Sequence, residues 1–198
     1  DSFVSRGLGD VYKRQVIPKY SFGDKKKGIS TEYNAIYKPI KKNYKNVYYF
    51  NSLNSKNLKK VNLELLKKVK KVKPDLIFFA ISSFEINIET LIYIKKNFNC
   101  LLVNWCSDDE WRFYQHSFLL APFFDCMITT SNEAKKKYIK NNIFTILSHW
   151  GCPDHWIRKP IISKKCKYDV TFVGKSYFNR KSIITVSYTH LRAHETRT

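Results

Sequence analysis

The sequence has few glycines, few acidic residues and no long apolar run. Its 198 residues include 6 glycines and 16 acidic residues. No apolar stretch approaches the roughly 20 residues that a membrane-spanning helix needs, and no signal-like segment is visible. We therefore predict a cytoplasmic protein without an integral membrane segment.

The sequence also lacks any closely spaced pair of cysteines. Its five cysteines are odd in number and widely spaced, which argues against a disulfide framework and against a zinc ribbon. Two histidines and two cysteines form a loose cluster, namely His149, Cys152, His155 and Cys166. Their spacing lacks the paired short intervals of a structural zinc site. We predict reduced thiols and no bound metal.

Negative charge is scarce relative to positive charge, with 36 basic residues and a formal net charge of +20. A balance of this sign is typical of proteins that bind nucleic acids or anionic membranes. Most of the charge is lysine, however, and it is dispersed among abundant asparagine, isoleucine, tyrosine and phenylalanine, as an AT-rich genome favours. Solvated helix faces explain the lysines better, so we predict no nucleic-acid partner and keep a basic nucleic-acid-binding module as an alternative.

Both ends of the chain match translated adapter DNA. Residues 5–15 are the translation of a transposase-type sequencing adapter, and residues 186–196 are the translation of its reverse complement in a shifted frame. One piece of DNA explains both ends, whereas ordinary polar tails would have to be reverse complements by coincidence. We therefore expect residues 1–15 and 186–198 to be adapter-derived and leave them out of the predicted fold.

Short apolar runs rich in β-branched and aromatic residues recur along the inner chain and predict strands that are buried on both faces. These strands are 47–50, 75–80, 101–105, 125–129, 144–147 and 168–173, with a strand remnant at 16–18. Lysine-rich stretches of helical period lie between them. Strands that alternate with helices require crossovers. The sequence thus predicts an α/β fold with a Rossmann-like, mainly parallel sheet and helices on both faces.

The chain has enough apolar material for one core and a stub of a second. Residues 16–150 carry the predicted Rossmann-like domain. Residues 151–167 contain glycine and prolines without clean periodicity, which is typical of a linker. Residues 168–185 read as the first strand of a second, truncated domain, followed by the start of a helix.

Two adjacent carboxylates, Asp108 and Asp109, follow the predicted strand 101–105. In open parallel sheets, ligands bind outside the carboxyl ends of the strands. A carboxylate at that edge could orient a hydroxyl or act as a general base. The structural alternative is the acidic first turn of a helix, because carboxylates favour the positive end of the helix dipole.

Two glycine-containing turns are further candidate sites. Gly28 and Ser30, with Glu32, lead into the first helix, where a ligand could approach backbone amides; the alternative is a capped surface loop. Gly174 and Arg180 belong to a strand-glycine-helix turn, which suits a diphosphate.

The order and spacing of several short motifs resemble those of the CgeB-type spore-maturation glycosyltransferases. The motifs are Pro18-Lys19-Tyr20, Phe22-Gly23-Asp24, Gly28-Ile29-Ser30 with Glu32-Tyr33, Lys73-Pro74-Asp75-Leu76-Ile77, Asn104-Trp105 with Asp108-Asp109, and Tyr168-Asp169-Val170-Thr171-Phe172-Val173-Gly174 with Arg180. The resemblance covers nearly all of the inner chain. It implies a GT-B architecture of two Rossmann-like domains, in which the N-terminal domain faces the acceptor and the C-terminal domain holds a sugar nucleotide.

The resemblance also implies roles for the candidate residues. Asp108 and Asp109 would be catalytic, the loop from Gly28 to Glu32 would line the acceptor side, and Gly174 with Arg180 would contact the donor diphosphate. No cofactor or metal is implied, since the nucleotide sugar is a co-substrate and the acceptor is unknown. The chain would supply the acceptor side of a transferase and would be inactive by itself. A non-catalytic α/β ligand-binding domain is the other alternative.

Overall fold

The computed structural model describes residues 13–81 and 83–167, together with Ser182, Thr185 and Val186. The chain divides into two compact units, Asp1–Ile157 and Arg158–Thr198. The boundary falls inside the predicted linker 151–167. The first unit contains the sheet, and the described part of the second contains a 3-10 turn at Ser163–Lys165. The predicted strand 168–173 lies outside the described residues.

The first unit is built on one sheet of six strands. They are β1 Lys13–Val16, β2 Val47–Phe50, β3 Leu76–Phe79, β4 Leu101–Cys106, β5 Cys126–Thr129 and β6 Thr145–Leu147. Their order is β2-β1-β3-β4-β5-β6, and every neighbouring pair is parallel. This arrangement confirms the predicted α/β class and its Rossmann-like parallel sheet.

Helices connect the strands. They are α1 Lys38–Asn43, α2 Leu58–Val72, α3 Ile88–Asn97, α4 Asp109–Arg112, α5 Phe118–Leu120 and α6 Asn132–Lys140. A π-helical turn, Tyr33–Tyr37, leads into α1, and a second one, Phe113–Ser117, joins α4 to α5. We call the continuous helical segment from α4 through the 3-10 turn Ala121–Phe123 the β4–β5 helix. No helix in the described ranges is long and apolar enough to cross a membrane.

The ends of two helices follow directly from local sequence signals. The side chain of Asn57 accepts a hydrogen bond from the backbone N–H of Lys60 at the start of α2. That helix ends at Lys73, which has a φ of 46°, just before a proline that cannot continue it. Ser131 caps α6 in the same way, by accepting from the N–H of Ala134. These caps satisfy amides that would otherwise lack a partner.

The two faces of the sheet are covered unequally. Side chains of α2, α3, α6 and the β4–β5 helix pack into one large core on one face. A smaller core on the other face contains Ile17, Ala80 and Trp105, against which Ile36 and Tyr37 pack. This division follows from right-handed crossovers. The connection from β1 to β2 runs opposite to the later ones, so its helix lies on the opposite face.

The start of the sheet differs from the sequence expectation, which placed a strand remnant at 16–18 and left residues 1–15 out of the fold. The structure places Lys13 to Gln15 in β1, where they pair with both β2 and β3. Ile17 follows the strand. The predicted bounds of this strand were wrong because the ladder bonds of a strand are made by backbone groups, which any extended segment can supply. The adapter origin of residues 1–15 stays a prediction.

Gln15 occupies an apolar position within β1. In the register it lies between Tyr49 and Phe78, which both pack against the smaller core. Its side chain is 1% exposed, and its Oε1 atom has no hydrogen-bond partner. A buried acceptor without a partner is destabilising by about 1–3 kcal/mol.

We expect the substitution Gln15→Met to stabilise the chain. Methionine is a flexible apolar residue that fills irregular gaps in a core, and it removes the unpaired oxygen. The free energy of unfolding, measured by urea denaturation, should rise by about 1 kcal/mol. The matched control is Gln115→Met at an exposed position, which should change it by less than about 0.5 kcal/mol. Equal effects at the two positions would contradict the structural argument.

Candidate functional site

A cleft of about 350 Å³ opens at the carboxyl edge of the sheet. It is lined by one residue that follows β1, two that follow β3 and eight from the end of β4 and the helix after it. These residues are Glu32, Ala80, Ile81, Trp105, Cys106, Ser107, Asp108, Asp109, Arg112, His116 and Ser117. Part of this volume is open solvent at the mouth of the cleft.

The topology of the sheet places the cleft there. β1 lies between β2 and β3, so the chain leaves β1 toward one side and later crosses to the other. Connections that part in this way leave a crevice at the carboxyl edge, which is the usual ligand site of open parallel sheets. Both π-helical turns named above border the cleft, since Glu32 precedes one and His116 lies in the other. Such turns are frequent at functional sites.

Asp109 is buried and its carboxylate is already held. The Ser117 hydroxyl donates to Oδ1, and the Tyr138 hydroxyl donates to Oδ2 at 3.2 Å. Burial raises the pKa of Asp109 above its ordinary value, although hydrogen bonds from Ser117, Thr129 and Tyr138 oppose that rise. Asp109 thus joins the β4–β5 helix to α6 as well as lining the cleft.

Asp108 has a different environment from its neighbour. Its side chain is exposed and makes no capping hydrogen bond to the helix that follows. Its backbone carbonyl instead accepts from the N–H groups of Trp111 and Arg112. The carboxylate therefore lies at the cleft wall in contact with solvent, where it is available to a ligand. The predicted acidic pair is divided into an accessible carboxylate and a buried one.

The predicted loop from Gly28 to Glu32 is only partly at the cleft. Glu32 lines it. Ser30 is buried, and its hydroxyl donates to the carbonyl of Pro18 and accepts from the N–H of Tyr33. Gly28 has a φ of 79° and closes a short 3-10 turn by donating to Lys25. Neither Ser30 nor Gly28 lines the cleft, so the structure gives both a role in shaping the loop.

The other two predicted site residues, Gly174 and Arg180, lie outside the described residues. Their proposed contact with a donor diphosphate stays a prediction. The carboxylates of Glu32, Asp108 and Asp109 are therefore the predicted site groups that the structure brings together.

His116 lines the cleft and was missed by the sequence analysis. Its side chain is 4% exposed, and its Nε2 atom has no hydrogen-bond partner. The ring packs edge-on against Phe84, with centroids 4.9 Å apart. The sequence contained a signal, because Asp109, Arg112 and His116 follow an i, i+3, i+7 spacing that places them on one helix face.

The thiol at the cleft is not an activated nucleophile. Burial raises the pKa of Cys106 well above its ordinary value, and the nearby Asp109 carboxylate raises it further. The Cys106 sulfur accepts a hydrogen bond from the Asn104 side chain at 3.2 Å. The thiol therefore stays protonated near neutral pH, whereas a cysteine nucleophile acts as the thiolate. Within residues 13–81 and 83–167, no group of three or more histidine, cysteine, aspartate or glutamate side chains could hold a metal ion.

Comparison of the chain with known protein families and with curated proteins found no match. The fold by itself does not name an activity, because parallel α/β sheets carry many unrelated chemistries. Any activity therefore depends on the side chains of the cleft.

The raised pKa of Asp109 predicts how stability depends on pH. The folded chain holds this proton more tightly than the unfolded chain, whose pKa is near 3.8. The stabilisation is therefore fully present below that pH and is lost as the pH rises through the raised pKa of the folded state.

We expect the substitution Asp109→Asn to remove this loss of stability with rising pH. The free energy of unfolding should be measured by urea denaturation at a series of pH values from about 3.5 upward. Asp108→Asn is the control, since that side chain is exposed one residue away, and its curve should keep the original slope. Parallel curves for the original chain and Asp109→Asn would show that Asp109 does not titrate in this way.

Proposed function

We propose that the chain is the acceptor-side domain of a two-domain glycosyltransferase, which transfers a sugar from a nucleotide-sugar donor to an acceptor hydroxyl. One observation carries this proposal: the cleft gathers Glu32, Asp108 and Asp109 at the carboxyl edge of a Rossmann-like sheet. All three residues belong to the motifs in which the sequence resembles the CgeB-type glycosyltransferases. A cleft at this edge supports the proposal because ligands of open parallel sheets bind there.

In the proposed reaction, the Asp108 carboxylate is the general base. It takes the proton of the acceptor hydroxyl while that oxygen forms a bond to the anomeric carbon of the donor. The bond from that carbon to the diphosphate breaks, and its electron pair leaves with the nucleoside diphosphate. Asp108 fits this role because its carboxylate is exposed, whereas Asp109 is committed to Ser117 and Tyr138 and positions the helix.

The donor side of the proposed enzyme belongs to the second domain. Gly174 and Arg180 would approach the diphosphate, whose charge a glycine turn at a helix start and a guanidinium can stabilise. No cofactor is part of the proposal, because the nucleotide sugar brings its own leaving group.

The distribution of lysine supports this proposal over a nucleic-acid-binding module. Exposed lysines occur on α1, α2, α3 and α6. Since α1 lies on one face of the sheet and the others lie on the opposite face, the positive charge surrounds the domain. A nucleic-acid site concentrates basic residues on one face. The other alternative, a non-catalytic ligand-binding domain, would use the same cleft. Only the absence of sugar transfer distinguishes it from the proposed enzyme.

The test uses the proposed two-domain enzyme, in which residues 16–185 are followed by a complete donor domain. Replacement of the general base, Asp108→Asn, should lower kcat for release of nucleoside diphosphate by about 100-fold. The matched control is Glu110→Gln, which changes an exposed carboxylate of the same helix and should leave the rate unchanged. The 198-residue chain alone should show no transfer. Equal rates for the two variants, or transfer by the short chain, would contradict the proposal.

A further inference from the structure

We propose that the cleft binds the ring of a neutral saccharide, so that the acceptor is a glycan. This inference rests on the proposed function, because it names the chemical class of the acceptor. It is carried by three features of the cleft: an unpaired imidazole nitrogen, lining charges of both signs, and exposed aromatic rings beside the lining residues.

The Nε2 atom of His116 is a buried polar atom without a hydrogen-bond partner, which a ligand could supply. A buried polar atom without a partner costs about 1–3 kcal/mol, and such atoms are rare in folded proteins. His116 is 4% exposed, lines the cleft and lacks a partner at this atom. A neutral imidazole nitrogen either donates or accepts, depending on its tautomer. A hydroxyl group can pair with both forms, since it also donates and accepts.

The charges of the lining favour a neutral ligand with several hydroxyls. Glu32 and Asp108 offer carboxylates that accept hydrogen bonds, and the guanidinium of Arg112 also lines the cleft. A phosphate would be repelled by the carboxylates, and an ammonium ion would pair with the carboxylates but not with the guanidinium. Neighbouring hydroxyls on a sugar ring can satisfy both kinds of group, because each is both a donor and an acceptor.

Exposed aromatic rings contact two of the lining residues. Phe84, which is 46% exposed, packs edge-on against His116. Trp150, which is also 46% exposed, packs edge-on against Trp105 with centroids 4.5 Å apart. Sugar rings have apolar faces of C–H groups that pack on aromatic rings, and ligand sites combine such rings with a few placed polar groups.

The experiment titrates the 198-residue chain with methyl β-glucoside, methyl α-mannoside and N-acetylglucosamine, and follows the side-chain NMR resonances of His116 and Trp150. At least one sugar should shift both with a Kd below about 10 mM. Inorganic phosphate and ethylammonium are the charged probes and should shift neither. Shifts by a charged probe alone, or by no sugar, would overturn the proposal.

Substitutions then locate the site. Trp150→Ala and Phe84→Ala alter half-exposed rings and should each weaken sugar binding about fivefold. His116→Asn should weaken it at least as much by removing Nε2. Trp156→Ala is the matched control, because Trp156 is 49% exposed and packs against His155, which does not line the cleft, and it should leave the Kd unchanged. Sugar binding that none of the first three substitutions affects would overturn the proposal.

The outcomes separate this inference from the proposed function. If the longer protein transfers sugar and loses activity in Asp108→Asn, while no sugar shifts His116 or Trp150, the acceptor is not a saccharide and the proposed function stands. If sugars bind the cleft but the longer protein releases no nucleoside diphosphate, the chain is a saccharide-binding domain and the proposed function falls.

Discussion

The pairing of β1 with two strands at once is the constraint on which the site depends. Val16 pairs with Phe50 of β2 on one side and with Phe79 of β3 on the other. The chain leaves β1 through α1 on one face of the sheet and returns past it through α2 on the opposite face. Because these connections part at the carboxyl edge, neither fills the space between them. Without a strand at this position, β2 and β3 would have no common neighbour and the cleft would lose one wall.

A second constraint fixes the other wall. The β4–β5 helix contains a π-helical turn, which changes the rotation of the residues that follow it. Asp109 before the turn and Ser117 at its end are joined by a hydrogen bond, and Tyr138 of α6 donates to the same carboxylate. The carboxylate is costly to bury, as its raised pKa reflects, but its partners are directional. They therefore hold Arg112 and His116 toward the cleft, which apolar packing alone would define less sharply.

Sequence patterns predicted the parts of the fold that depend on burial. The apolar runs in β2 to β6 are local signals that predicted these strands, and the structure confirms them. The pattern found only the end of β1, because it predicted a strand remnant at 16–18 while residues 1–15 were left out as adapter-derived. It also missed His116, since periodicity reports that a helical position is buried but not whether its polar atom has a partner. Asp108 was predicted because adjacent carboxylates after a strand carry a chemical signal, and Glu32 was predicted because it belongs to a glycine-containing turn before a helix.

The lining of the cleft is negative overall, whereas the chain is positive. This difference bears on which steps of the proposed reaction each domain could support. The chain carries a formal net charge of +20, yet Glu32, Asp108 and Asp109 face a single guanidinium, that of Arg112, among the lining side chains. Such a site disfavours a diphosphate, whereas a leaving diphosphate needs donors and positive charge around it. In the proposed reaction, the acceptor-side cleft can therefore accept a proton but cannot stabilise the leaving group. In the proposed enzyme, that stabilisation would come from the second domain, so the cleft would supply only the acceptor half of the active site.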